Sequence, residues 1–263
     1  MSDRRQRQKE LRAAKREAER KRESRRELWR RLLTALVFGV VVVAIFGLTG
    51  AFGGDDETDV PGTYEDYRSQ ETACGAEAPP PERVMSFTQA EEQTDISAAS
   101  AATATVTTSC GEIVIDLNIQ GAPETVNSFA FLAREGFYDG QVIHRIAEDF
   151  AFQAGDPSAD GTGGPGYLVP DEFPDDDFVY EEGVVAMHSR GSRSTGSQFM
   201  VIAGDDGRFL TNQFNVLGTI ASGQDTIDAI MQVPTATAPG SVERSRPLET
   251  VYIESIDIDV ADS

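Results

Sequence analysis

The sequence predicts a mainly β fold, a closed antiparallel barrel over residues 101–263, preceded by a single transmembrane helix. Three observations lead there. From Thr105 onward, short apolar segments recur between Gly, Pro, Asn and Asp, and only two amphipathic stretches, far apart, interrupt them; this fits an antiparallel barrel better than an alternating α/β sheet. Residues 32–52, LLTALVFGVVVVAIFGLTGAF, carry no charge, and at ~1.5 Å rise per residue such a run spans the roughly 30 Å hydrocarbon core of a bilayer. The charge is sharply divided: residues 1–31 hold 14 Lys/Arg against 6 Asp/Glu, and the rest of the chain holds 9 against 38.

That division orients the chain. A basic segment before the apolar run and Asp55, Asp56 and Glu57 after it place residues 1–31 in the cytoplasm and the acidic bulk outside, in the single-pass arrangement of a signal-anchor. A cleaved signal peptide fits less well, because the basic region and the apolar run are both too long and Thr49-Gly50-Ala51 is a poor cleavage site. The tail mixes Glu among its bases, with Glu17/Lys21 and Glu27/Arg31 at the helical spacing of four. It reads as a solvated juxtamembrane helix rather than a nucleic-acid arm. Residues 53–100 read as an acidic, Pro-rich linker: GGDDETD, APPPE and ISAASAATA contain few apolar residues and no period.

Within the domain, TVTTSCGEIVIDL (105–117) predicts two strands about a turn at Ser109–Gly111, with Ile113, Ile115 and Leu117 on one face. APETVNSFAFLAREG (122–136) predicts a helix with Pro123 in its first turn, Val126, Phe129, Ala130 and Ala133 inward, and Gly136 at its end. Strands follow at VIHRI, FAFQAG, GVVAMHS, QFMVIAG and FNVLGTI, then a helix at QDTIDAIMQ. In TVYIESIDIDV the apolar register slips by one between Ile253 and Ile256, predicting a bulge near Glu254. Cys74 and Cys110 are the only cysteines. Outside the membrane they could pair, tying the linker to the first hairpin, but sequence cannot show that their Cα atoms come within bridging distance.

Most reaction chemistries find no support. Two histidines, His144 and His188, and no ligand spacing argue against a metal. Ser197 lacks a nucleophile elbow. Gly161, Gly163 and Gly166 match G-x-G-x-x-G, but no strand leads into them and no helix follows, so a dinucleotide site is not expected. Asp156 is expected to cap the backbone of that glycine loop.

Residues 142–156, VIHRIAEDFAFQAGD, followed by GTGGPGY, PDEF and GVVAMHSRGSRSTGSQFMV, together with the earlier APETVNSF and FYDG, resemble the cyclophilin family in order and spacing from near Thr105 to about Val260. The anchor arrangement looks like that of the membrane-bound forms in high-GC Gram-positive bacteria. The resemblance implies an eight-stranded barrel capped by two helices, an outer groove for an X-Pro segment, and peptidyl-prolyl cis-trans isomerase activity on exported or envelope proteins, with no cofactor and no metal. It implies Arg145 as the catalytic arginine. It places Phe150, Gln153, His188, Ser189, Gln198, Met200, Phe209, Leu210 and Phe214 along the substrate groove. Departures from the family pattern are Ile143 for an aromatic, Ala151 for a methionine, Ala154 for a glycine, His188-Ser189 for Ala-Asn, and Met200 for a phenylalanine. They keep a second reading open, a membrane-tethered proline-peptide-binding module or chaperone with little turnover. A monomer is expected. His144 is read as a structural strand residue.

Overall fold

The computed structural model describes residues 60–82 and 84–261. The apolar run 32–52 and the basic tail lie outside them, and among the described residues no helix is long and apolar enough to cross a membrane. In chain order the elements are α1 (Tyr64–Arg68), α2 (Thr94–Ala98), β1 (Ala102–Thr108), β2 (Gly111–Leu117), α3 (Pro123–Arg134), β3 (Arg145–Ala147), β4 (Ala151–Ala154), β5 (Val184–Met187), β6 (Phe199–Ile202), β7 (Val216–Ser222), α4 (Gln224–Met231), β8 (Thr235–Thr237), β9 (Arg244–Pro247) and β10 (Ile253–Val260).

Eight strands form one antiparallel sheet in the order β10-β1-β2-β7-β5-β6-β4-β3. It curls around a core but does not close, which corrects the expected barrel. β3 has only three residues, and its outer side lies against the separate β8–β9 hairpin. The two ends of the sheet meet through the segment ahead of β3 and the start of β10: the isolated bridge Val142↔Tyr252, the bond from Ile143 N–H to the Val251 carbonyl (2.9 Å), and the bonds of Ile253, whose N–H donates to the Gln141 carbonyl and whose carbonyl accepts from Gly140 N–H (2.8 Å each). The helix α3 lays Val126, Phe129, Ala130 and Ala133 into the core as its period requires, and Pro123 occupies its first position. At the bulge Thr107 faces Ser255 while Thr108 faces Ile253, so Glu254 is the extra residue.

β1 and β2 alternate buried and solvated side chains, whereas β4, β5 and β6 are buried along their whole length. Continuous apolar strands need cover on both faces. One face supplies Phe152, Ala154, Val185, Met187, Phe199 and Val201 to the main core. The other presents Ala151, Val184, Ala186, Met200 and Ile202 to a second, smaller apolar cluster outside it.

Residues 60–100, expected to be a linker, instead belong to the compact unit that begins at Asp59. They contribute single anchors rather than a periodic face. Tyr67 is fully buried and its hydroxyl donates to the His144 carbonyl (2.8 Å); Ala73 and Ile96 join the main core; Phe87 stacks edge-on against Phe131 at 5.0 Å. Gly140, at φ +80°, lets Pro80 and Glu82 pass so close that a Cβ there would collide with their backbone. Cys74 and Cys110 are bonded, with Cα atoms 5.2 Å apart, and pin this strap to the β1–β2 turn.

Reducing that bond, or replacing both cysteines by serine, is expected to lower the free energy of unfolding by about 3–4 kcal/mol, from the entropy of closing a loop of this length. Equilibrium urea melts of the oxidised and reduced protein measure it, and coincident curves would show that the strap is held by its other contacts alone.

Candidate active site

Antiparallel pairing fixes one row of side chains on the outer face of the sheet. Arg145 on β3 faces Gln153 on β4, Gln153 faces Met200 on β6, and Met200 faces Ala186 on β5. Neighbouring strands lie about 4.8 Å apart, so the Arg145 and Met200 backbones are roughly 10 Å from each other. The row therefore runs from a cation to an apolar floor. Met200, only 1% exposed, sits in the second apolar cluster, and Phe150, Leu210 and Phe214 pack around it half-buried. The result is an apolar cluster on the outer face of the sheet with a guanidinium at its edge.

Each wall is held in place. Phe150 ends the β3–β4 turn, and its ring lies 5.3 Å from the Arg145 guanidinium carbon, within cation–π range. Phe214 is fixed at both backbone groups by Tyr180: the Tyr180 hydroxyl donates to the Phe214 carbonyl (2.7 Å) and accepts from its N–H (3.2 Å). His188 stacks on Phe214 at 6.4 Å between centroids and 16° between planes. Gln153 Nε2 donates to His188 Nδ1 at 3.2 Å, which places the imidazole proton on Nε2. Burial, then the positive charges of Arg145 and Arg190, hold the His188 pKa below the usual imidazole range.

A concavity of about 440 Å³ opens between the glycine loop and residues 188–198. His188, Ser189 and Gln198 line it. Gln198 Nε2 donates to the Gly163 carbonyl (2.9 Å), while its buried Oε1 has no partner among the described residues. Asp156, fully buried, accepts from the N–H groups of Ser158, Gly161 and Gly163 and so templates the loop. A Cβ on Gly163 would collide with that carboxylate. The glycines thus serve a tight loop wound on an aspartate, as the sequence suggested.

Phe209 lies at the surface. It ends a 3-10 turn, Asp205–Phe209, and stands 78% exposed, while its neighbour Leu210 turns into the cluster. One residue of rotation at the end of that turn separates the two. His144 is buried among strands, its ring nitrogen Nδ1 without a partner among the described residues. Burial, then the positive charge of Arg246, lowers its pKa to about 3. Sequence reasoning missed Glu243. It lies in the turn between β8 and β9, 98 residues from Arg145, and its carboxylate takes the Arg145 Nε and Nη2 donors at 2.9 and 2.5 Å. Among the described residues no group of three or more potential metal ligands converges.

Comparison with known proteins bears on the fold and the family. Residues 103–258 match the family model of cyclophilin type peptidyl-prolyl cis-trans isomerases. The chain is 36% identical over 167 residues to a probable peptidyl-prolyl cis-trans isomerase B of Mycobacterium tuberculosis, an alignment covering 58% of this chain and 53% of that protein, so the chain spans about half the length of that relative. It is 35% identical over 170 residues to peptidyl-prolyl cis-trans isomerase B of Streptomyces anulatus, covering 58% of this chain and 94% of the other. A crystal structure of a cyclophilin type isomerase from Cryptosporidium parvum superposes with a TM-score of 0.54 at 22% identity, over 62% of this chain and 99% of its own, and at that identity shares the fold.

With only two histidines in the chain, proton NMR can follow each ring. Both are expected to titrate below the usual 6.5, with His144 neutral down to about pH 3. Because the folded values are depressed, each ring contributes stability that is present above 6.5 and lost as pH falls toward its folded pKa, where only the unfolded chain takes up the proton. A ring titrating at 6.5 in the folded protein would contradict the burial described.

Proposed function

The chain belongs to the cyclophilin-type peptidyl-prolyl cis-trans isomerase family, and from that premise we propose that it is a peptidyl-prolyl cis-trans isomerase acting on X-Pro segments of exported or envelope proteins. The observation that carries this reading is the outer-face row, which sets the Arg145 guanidinium beside the apolar cluster that holds Met200, Phe150, Leu210 and Phe214.

The barrier to X-Pro rotation is roughly 18–20 kcal/mol and arises from amide resonance. Lowering it needs neither a nucleophile nor net proton transfer, only an environment that favours the twisted amide. The proline ring packs on the outer side of that apolar cluster. Arg145 directs a permanently charged donor at the prolyl nitrogen as it becomes pyramidal and gains a lone pair, an interaction stronger in the twisted state than in either planar isomer. Gln153 and Gln198 offer neutral hydrogen bonds to the substrate backbone. His188 orients Gln153 rather than exchanging protons, in keeping with its depressed pKa. Phe209, turned to solvent, meets only the flanking part of a bound peptide.

We further propose that residues 1–31 lie in the cytoplasm, that residues 32–52 cross the membrane, and that the acidic domain works outside it as a monomer. The uncharged run and its flanking charges support this arrangement. So does the Cys74–Cys110 bond, which needs an oxidising compartment to persist. The full chain is expected to stay with the membrane pellet after alkaline carbonate extraction, and its domain to be digested by protease added to the outside of intact cells. Release by carbonate, or protection from the protease, would overturn the topology.

Isomerisation of a proline tetrapeptide by the full chain is expected to fall by about 100-fold or more in Arg145→Ala, the usual scale for removing a preorganised donor to a transition state. Peptide binding without acceleration by the unsubstituted protein would favour the binding-module reading instead, for which Ala151, Ser189 and Met200 are the motivating departures. Undiminished turnover in Arg145→Ala would remove the arginine mechanism.

A further inference from the structure

Arg145 is not free to aim itself. Its side chain is 22% exposed and reaches over the outer face of a three-residue edge strand. A guanidinium there would ordinarily sample several rotamers. Its cross-strand neighbour Gln153 does not hold it, because the Gln153 amide is turned to His188. The group that does is Glu243. Its two carboxylate oxygens take Nε and Nη2 in a side-on bidentate pair (2.9 and 2.5 Å), which fixes the guanidinium plane as a single hydrogen bond cannot. The ring of Phe150 flanks the same group. With that edge occupied, Nη1 has no protein hydrogen bond among the described residues.

Glu243 is in turn held by its own turn. Its N–H donates to Ser241 Oγ (3.0 Å), the Ser241 hydroxyl donates back to its carbonyl (3.4 Å), and Ser241 N–H closes onto the Ala238 carbonyl (3.0 Å). Immediately after it, Arg244 begins β9 and fastens the hairpin through Nε to the Thr235 carbonyl (2.7 Å). That hairpin lies alongside β3. The carboxylate therefore stands on a built support that meets the edge of the sheet from outside it.

We propose that Glu243 is a positioning residue for the isomerase reaction: it clamps one edge of the Arg145 guanidinium so that the other edge points at the prolyl amide. The proposal rests on the reading of Arg145 as the group that acts on that amide. Glu243 does not touch substrate; it removes the rotational freedom Arg145 would otherwise lose on reaching the transition state. The Arg145 hydrogen bonds hold the Glu243 carboxyl below the usual carboxylate range, so the clamp is ionised throughout neutral pH.

The test is steady-state isomerisation by the full chain with a proline tetrapeptide, comparing Glu243→Ala, Glu243→Gln, Arg145→Ala and the double variant. Glu243→Ala is expected to lower kcat by about tenfold with KM within about twofold, the pattern of an interaction realised in the transition state. Glu243→Gln, which keeps one acceptor and the shape, is expected to recover part of the loss. The double variant is expected to match Arg145→Ala, because Glu243 acts only through the arginine. A kcat unchanged or raised in Glu243→Ala, with Arg145→Ala inactive, overturns the clamp and leaves the arginine reading standing. So does a loss in Glu243→Ala that appears in KM alone. Full activity in Arg145→Ala overturns the premise and the clamp together. The exposed position of Glu243 makes the Gln variant the safeguard should the Ala variant fold poorly.

Discussion

The site depends on strand register. Side chains alternate faces with a period of two, so the pairing of Arg145 with Gln153 and of Gln153 with Met200 puts all three on the outer face in one row. A slip of one residue in β4 would bring Phe152 outward and drive Gln153 into the core, and the guanidinium would lose its place beside the apolar floor. What forbids the slip is the demand on both faces. Phe152, Phe199 and Val201 must fill the main core while Ala151, Met200 and Ile202 meet the outer cluster. The two clusters hold the register from opposite sides, and the candidate row is a consequence of packing rather than an addition to it.

The outer cluster also explains which departures from the family pattern the fold absorbs. Met200 is unbranched and flexible, and it packs in the outer cluster with Phe150, Leu210 and Phe214 without needing the shape of an aromatic ring. His188 stacks on Phe214 and accepts from Gln153, so the His188-Ser189 pair is integrated into the wall and not a gap in it. The polar and apolar halves of the site share that one imidazole.

Legibility in the sequence followed the length scale of the interactions. The first hairpin, the two main helices and the bulge at Glu254 were readable because each is written in the spacing of nearby apolar residues. The slip between Ile253 and Ile256 is visible without any knowledge of the partner strand. Arg145, Phe150, Gln153 and Met200 could be placed because the resemblance lies in one continuous stretch of motifs. Three features were not readable. Glu243 reaches its partner across 98 residues, from a hairpin whose strands, Thr235–Thr237 and Arg244–Pro247, carry no apolar alternation. Residues 60–100 bury isolated side chains such as Tyr67 and Ile96, which leave no period behind. The sheet stays open because β3 is short, and strand length is set at a turn, where composition says least.

The Cys74–Cys110 bond changes what the covalent chain is. The backbone enters β1 at Ala102, but the crosslink joins the strap to the far end of that strand, beyond Thr108. Residues 74–110 are thereby a closed ring with the rest of the molecule attached at its two cysteines. A single proteolytic nick anywhere inside the ring, including the run Pro79–Pro81, opens it without severing the molecule, and the fragments remain one covalent body. The stretch ahead of β1, which has little regular structure, is thus one whose cleavage leaves both pieces covalently joined.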